Sequence, residues 1–182
     1  MRAIAITVTA LAAALLLTAC DSGGSDGDDT GSKNTDTTEN TENTACRLGA
    51  VGLQVGPANA APAAGDTGNV PVTLTNQGAA CTLDGFPGLT LAAGSDTAAV
   101  PQDKTGQAQK LTLAKGDTAS FTLTYVRGKA GDAKSLAATS LKIALPGASD
   151  AKSYPWSYGP VQGKSDAAHP DASVTAFQQA GD

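Results

Sequence analysis

The chain has 182 residues, with 17 acids against 12 bases and a formal net charge of −5. The acid excess sits in residues 21–44, which hold seven acids and one base, whereas from Ala45 onward ten acids balance ten bases. The neutral part offers no electrostatic footprint for nucleic acid. With aromatic residues at 4% of the chain, its core has to be built mainly from small aliphatic groups.

The first twenty residues read MRAIAITVTALAAALLLTAC. Arg2 is followed by fifteen uncharged residues, 3–17. That stretch is too short to cross a bilayer comfortably as a helix and has the length of a signal-peptide apolar region. Leu17-Thr18-Ala19-Cys20 resembles the lipobox of bacterial prolipoproteins: an aliphatic residue, two small residues that let a peptidase approach the backbone, then the cysteine. The resemblance implies cleavage after residue 19 and thioether lipidation of Cys20. The expected location is the extracytoplasmic face of the cell membrane, held by a lipid anchor. With no twin arginine, export is expected through the general secretory route.

Residues 20–44 are expected to form the lipidated cysteine and a disordered linker. From 21 to 44 there is no aliphatic or aromatic side chain apart from threonine methyls, so nothing offsets the entropy lost on ordering. The six net negative charges extend the segment and repel it from anionic lipid. Its r.m.s. reach is roughly 25–30 Å, so the folded part is expected just off the membrane. The aspartates at 26–29 lack the later ligands of a calcium loop.

Residues 45–182 read as one β-domain. Two-residue alternation marks Val51, Leu53 and Val55, then Val70, Val72 and Leu74. Leu89 and Leu91 follow, then Leu111 and Leu113, Phe121 to Tyr125, Leu141 to Leu145, and a last run over 172–177. Turn signals at 76–78, 94–96, 115–117 and 146–147 separate them. Residues 131–138 are the one stretch that could make a short helix. The expected fold is an all-β, immunoglobulin-like antiparallel sandwich of seven to eight strands. Pro71 within a strand run suggests an edge strand or a bulge.

Three cysteines are present. Lipidation of Cys20 leaves Cys46 and Cys81, and export places that pair where a disulfide persists. The spacing is not the Cys-x-x-Cys of a redox-active pair.

At 74–91 the chain reads LTNQGAACTLDGFPGLTL. Leu74-Thr75-Asn76, Cys81 and the turn Gly85-Phe86-Pro87-Gly88 resemble the domain-of-unknown-function family 4232, found mainly in actinobacterial lipoproteins and secreted proteins. The resemblance runs from about Cys46 to about Leu145. It implies a β-sandwich and no activity. Relatives often carry a further cysteine pair in the second half, which this chain lacks.

The chemistry-bearing residues are few. His169 is the only histidine, in Ser165-Asp166-Ala167-Ala168-His169-Pro170-Asp171. Asp166, His169 and Asp171 could approach one metal ion, and a serine hydrolase would need this histidine beside an activated serine. No Gly-x-Ser-x-Gly elbow is present. Paired catalytic carboxylates are not expected, since no glutamate follows residue 44 and the aspartates fall mostly in turns. Met1 is the sole methionine and leaves with the signal, which argues against copper carriage on methionine and histidine. No cofactor and no metal are expected.

The remaining feature is Tyr154-Pro155-Trp156-Ser157-Tyr158-Gly159-Pro160, which holds three of the seven aromatic residues. Tyr154, Trp156 and Tyr158 suit binding of sugar rings or peptides. The alternative is that Trp156 plugs an open end of the fold. The expected function is a non-enzymatic binding module beside the membrane, its partner a wall polymer, peptide or protein. The second reading is an enzyme or metal handler built on Asp166, His169 and Asp171.

Overall fold

The computed structural model describes residues 44–179. The expected signal peptide, Cys20 and the linker to residue 43 lie outside the described residues. The alternating runs form β1 (Val51–Val55), β2 (Thr67–Asn76), β4 (Gly88–Ala93), β6 (Lys110–Leu113), β7 (Thr118–Val126), β9 (Ser140–Ala144) and β12 (Ala172–Val174). Between them lie β3 (Cys81–Asp84), β5 (Asp96–Ala99), β8 (Ser135–Leu136), β10 (Ala151–Pro155), β11 (Val161–Gln162) and β13 (Gln178–Gln179).

Among the described residues thirteen strands are divided among four unclosed sheets. One runs β1-β2-β7-β12, with β13 also on β7; the second runs β10-β9-β4-β5; β11-β8 and β3-β6 are two-stranded. The seven- to eight-strand immunoglobulin-like sandwich is therefore not the fold, although the all-β class holds. Alternation detects a strand only when one face is dry and the other wet over several residues. The six extra strands are two to five residues long, and β10 has four exposed positions out of five.

The same alternation explains the core. Val70, Val72 and Leu74 from β2, Phe121, Leu123 and Tyr125 from β7, Leu89 and Leu91 from β4, and Leu141 and Ile143 from β9 are all at most 3% exposed. They belong to one apolar cluster, so the two larger sheets share a core. Gly68 is required on β2, because a Cβ there would stand 2.5 Å from the Tyr125 ring.

Two local expectations are corrected. Residues 131–138 form no helix: the chain turns at Gly131, with φ +76°, and continues into β8. Too few residues separate that glycine from the β8 pairing with β11 for a helix to propagate. Pro71 lies on neither an edge strand nor a bulge, for β2 has β1 and β7 on its two sides and pairs with β7 without a break. In an antiparallel ladder alternate residues bond to opposite neighbours. Pro71 faces the β1 side, where the Gly56 N–H donates to its carbonyl at 2.8 Å. In register, Gly56 stands opposite Pro71, and because proline has no N–H that pair makes one bond instead of two; β1 ends at Val55, just before it, so the loss falls at the end of the ladder and not within it.

Cys46 and Cys81 are bonded, with a Cα–Cα distance of 4.9 Å. The bridge joins the segment entering β1 to β3, alongside the backbone bond from Cys46 N–H to the Thr82 carbonyl at 2.9 Å. It closes a separation of 35 residues, for which chain entropy gives roughly 3–4 kcal/mol. Replacing both cysteines with serine should lower the unfolding free energy by about that amount. Urea denaturation with and without reductant checks this: the reductant should shift the midpoint of the parent and leave that of the variant in place.

Candidate functional site

The loop after β10 turns its aromatic residues inward. Trp156 is only 6% exposed. Its ring meets Tyr125 edge-on at 5.0 Å and Tyr158 at 4.9 Å, and its Nε1–H donates to the Gly159 carbonyl at 2.7 Å. Tyr125 is fully buried; its hydroxyl donates to the Tyr158 carbonyl at 3.2 Å and accepts from the Ala61 N–H at 3.3 Å. Arg127 completes the closure by donating to the carbonyls of Ala61, at 2.8 Å, and Pro62, at 3.1 Å. Tyr154 donates its hydroxyl to the Leu53 carbonyl at 3.3 Å, linking β10 to β1. Trp156 thus fills the fold instead of offering a ring face to a ligand, and Tyr154 and Tyr158 are half-buried around it.

The Tyr125–Trp156 contact is remote from the disulfide. Tyr125 stands opposite Gly68 near the start of β2, whereas the disulfide lies near its far end, beyond Asn76. At about 3.4 Å per residue, the stretch of β2 from Gly68 to Asn76 separates the two by about 27 Å.

The His169 loop does not assemble a centre. The His169 Nδ1 lies 2.8 Å from Asp166 Oδ1, on a side chain that is 71% exposed. Asp171 instead pairs with Lys164 at 3.8 Å. The Ser165 hydroxyl donates to Asp166 at 3.1 Å and not to the imidazole, so Ser165 is not activated by it. Among the described residues no group of three or more His, Cys, Asp or Glu could hold a metal ion.

Hydrogen bonding from His169, with help from the Ala168 N–H and Ser165, holds the Asp166 carboxyl below the usual aspartate range. A carboxyl depressed in the folded state contributes stability above its unfolded pKa and loses it as pH falls through the folded value. NMR titration of the Asp166 carboxyl should show that low midpoint, and His169→Ala should move it back up.

Four glutamines carry no local motif in the sequence yet meet in the fold. Gln107 and Gln109, ahead of β6, and Gln178 and Gln179, in β13, line one groove of about 390 Å³. Leu111 and the 2%-exposed Phe177 complete its lining. The clue available in the sequence was two glutamine pairs about seventy residues apart, which only the fold brings together.

Residues 46–178 match DUF4232, a domain of unknown function. The chain belongs to that family. The match runs past Leu145, so it takes in both the aromatic loop and the last strands. No curated protein and no solved structure matches the chain. The DUF4232 stretch at 74–91 has a physical reading in this fold. Asn76 is 0% exposed and is the one buried polar side chain among the described residues. Its Nδ2 donates to the carbonyls of Ala79, Leu113 and Ala114 at 2.9, 2.9 and 3.2 Å, and its Oδ1 accepts from the Gly78 N–H at 3.0 Å. Five residues on, Cys81 takes the disulfide. Gly85 turns the chain with φ +82°, and its carbonyl accepts from the Phe177 N–H at 3.2 Å.

Proposed function

We propose that the protein is an extracytoplasmic lipoprotein, held to a membrane by a lipid on Cys20, and that its β-domain works there as a non-enzymatic binding module. The observation that carries this reading is the Cys46–Cys81 bond. It uses two of the three cysteines and leaves one, at the end of Leu17-Thr18-Ala19-Cys20. Disulfides persist in oxidising compartments, so the bond and the apolar N-terminus support export independently. Residues 1–19 act as the cleaved signal, 20–44 as the tether, and 45–182 as the working domain.

The non-enzymatic part is supported by the pairing of Asp166 with His169 and of Asp171 with Lys164, which leaves no converging set in a pocket. It also weighs against metal handling on that loop. Membrane fractionation of a bacterial host expressing the parent and Cys20→Ser tests the anchor. The parent should sit in the membrane fraction, with its domain digested by protease added to intact cells. The variant should be released from the membrane. A variant that stays in the membrane fraction, or a parent protected from the protease, overturns the reading.

A further inference from the structure

We propose that the groove between β6 and β13 binds an uncharged glycan. This rests on the reading of the domain as a binding module and names its ligand class. The chain has eight glutamines, and four of them (Gln107, Gln109, Gln178 and Gln179) gather here. All four are exposed, and none of their side-chain amides is hydrogen-bonded within the described residues. Each amide carries a donor group and an acceptor group. Together they surround an apolar floor made by Leu111 and Phe177. The Phe177 ring is fixed by an edge contact with Phe121 at 5.7 Å, so that floor is preformed.

The chemistry of the lining selects the ligand. Among the described residues no charged one lines the groove, although the chain carries ten acids and ten bases from Ala45 onward. An anionic polymer would find no cation there, and a basic peptide no carboxylate. Neutral amides that both donate and accept match hydroxyl groups, which do the same. The adjoining row of the sheet continues the character: Gln178 stands opposite Ser120, and Ser120 opposite Thr73, all uncharged. Recognition of a peptide by strand addition needs a long free edge. Here β13 has two residues and β6 four. The volume, about 390 Å³, lies in the range of small-ligand sites, roughly 300–1,000 Å³.

The test is an NMR titration of the full chain in detergent, labelled at its glutamine side-chain amides, with chitohexaose and maltohexaose as neutral glycan probes. The amides of Gln107, Gln109, Gln178 and Gln179 should shift with at least one probe. Gln109→Ala with Gln178→Ala should weaken binding about tenfold, the loss expected for one or two hydrogen bonds. These are surface changes that should leave thermal unfolding in place, and the parent shift map stands even if they do not. No shift with either probe overturns the proposal. So do shifts confined to other glutamines, binding that survives the double variant, or a response to polygalacturonate or an uncharged octapeptide without one to the glycans. The result is separable from the anchor: an unlipidated chain that shifts at these amides keeps the groove and loses Cys20, and a lipidated chain that does not shift does the reverse.

Discussion

Asn76→Asp should destabilise the domain by about 3–5 kcal/mol, the range for a buried charge left without a partner. The substitution keeps the shape and exchanges one donor group for an acceptor. In the parent, Nδ2 faces three carbonyl oxygens within 3.2 Å. A carboxylate would place a second oxygen against all three, in a site with no solvent access. The backbone around it is committed as well: the Asn76 N–H donates to the Asp117 carbonyl, and its own carbonyl accepts from Gly116. The backbone therefore cannot carry the side chain out toward solvent without opening two turns. Burial and the facing carbonyls raise the folded-state pKa of the new carboxyl. A raised acid loses stability as pH climbs through its titration, so the deficit should be smallest at acid pH and full at neutrality. Asn76→Ala, which removes the donors without adding charge, should cost about 2–3 kcal/mol and show no such pH dependence. Urea denaturation of both variants at acid and neutral pH checks the pair.

Trp156→Ala should cost about 3–5 kcal/mol, as for other large aromatic truncations in cores. Three effects combine there: lost ring contacts with Tyr125 and Tyr158, an unbonded Gly159 carbonyl, and a cavity under residues 156–160. Against a typical domain stability of about 5–15 kcal/mol, this change alone brings unfolding close to ambient conditions. Trp156→Phe keeps an aromatic filling and should cost about half as much. Because Trp156 is the only tryptophan, fluorescence reports on this end alone. The parent should resist quenching by iodide until the domain unfolds. A freely quenched indole in a folded chain would show that the ring is presented to solvent.

The strands with one dry face were legible in the sequence, since Val70-Val72-Leu74 and Phe121-Leu123-Tyr125 could alternate for no other purpose. The short strands were not. Strand β10 has lysine, serine and proline at exposed positions, and it is a strand because its backbone pairs with β9, not because its side chains announce it. Such pairing is a property of the neighbour, invisible from the segment itself. Pro71 misled for the same reason: whether a missing N–H matters depends on where β1 ends.

The disulfide was readable because cysteine chemistry restricts the choices. The sequence leaves Trp156 open as a contact residue or as a plug, and composition does not decide between them. The partner of its indole N–H, the Gly159 carbonyl three residues on, did. The Asp166–His169 contact could be anticipated from spacing, but not the diversion of Asp171 to Lys164. The glutamine groove had no local signature at all, because its two halves meet only after β6 and β13 are placed.

The mature N-terminus carries the central claim. Intact-mass spectrometry of the chain extracted from membranes of an expressing bacterium should find a polypeptide that begins at Cys20, lacks residues 1–19, and carries a diacylglyceryl group on the thiol. A chain that still begins at Met1, or one that begins elsewhere with an unmodified Cys20, would contradict the lipid anchor and with it the proposed place of work.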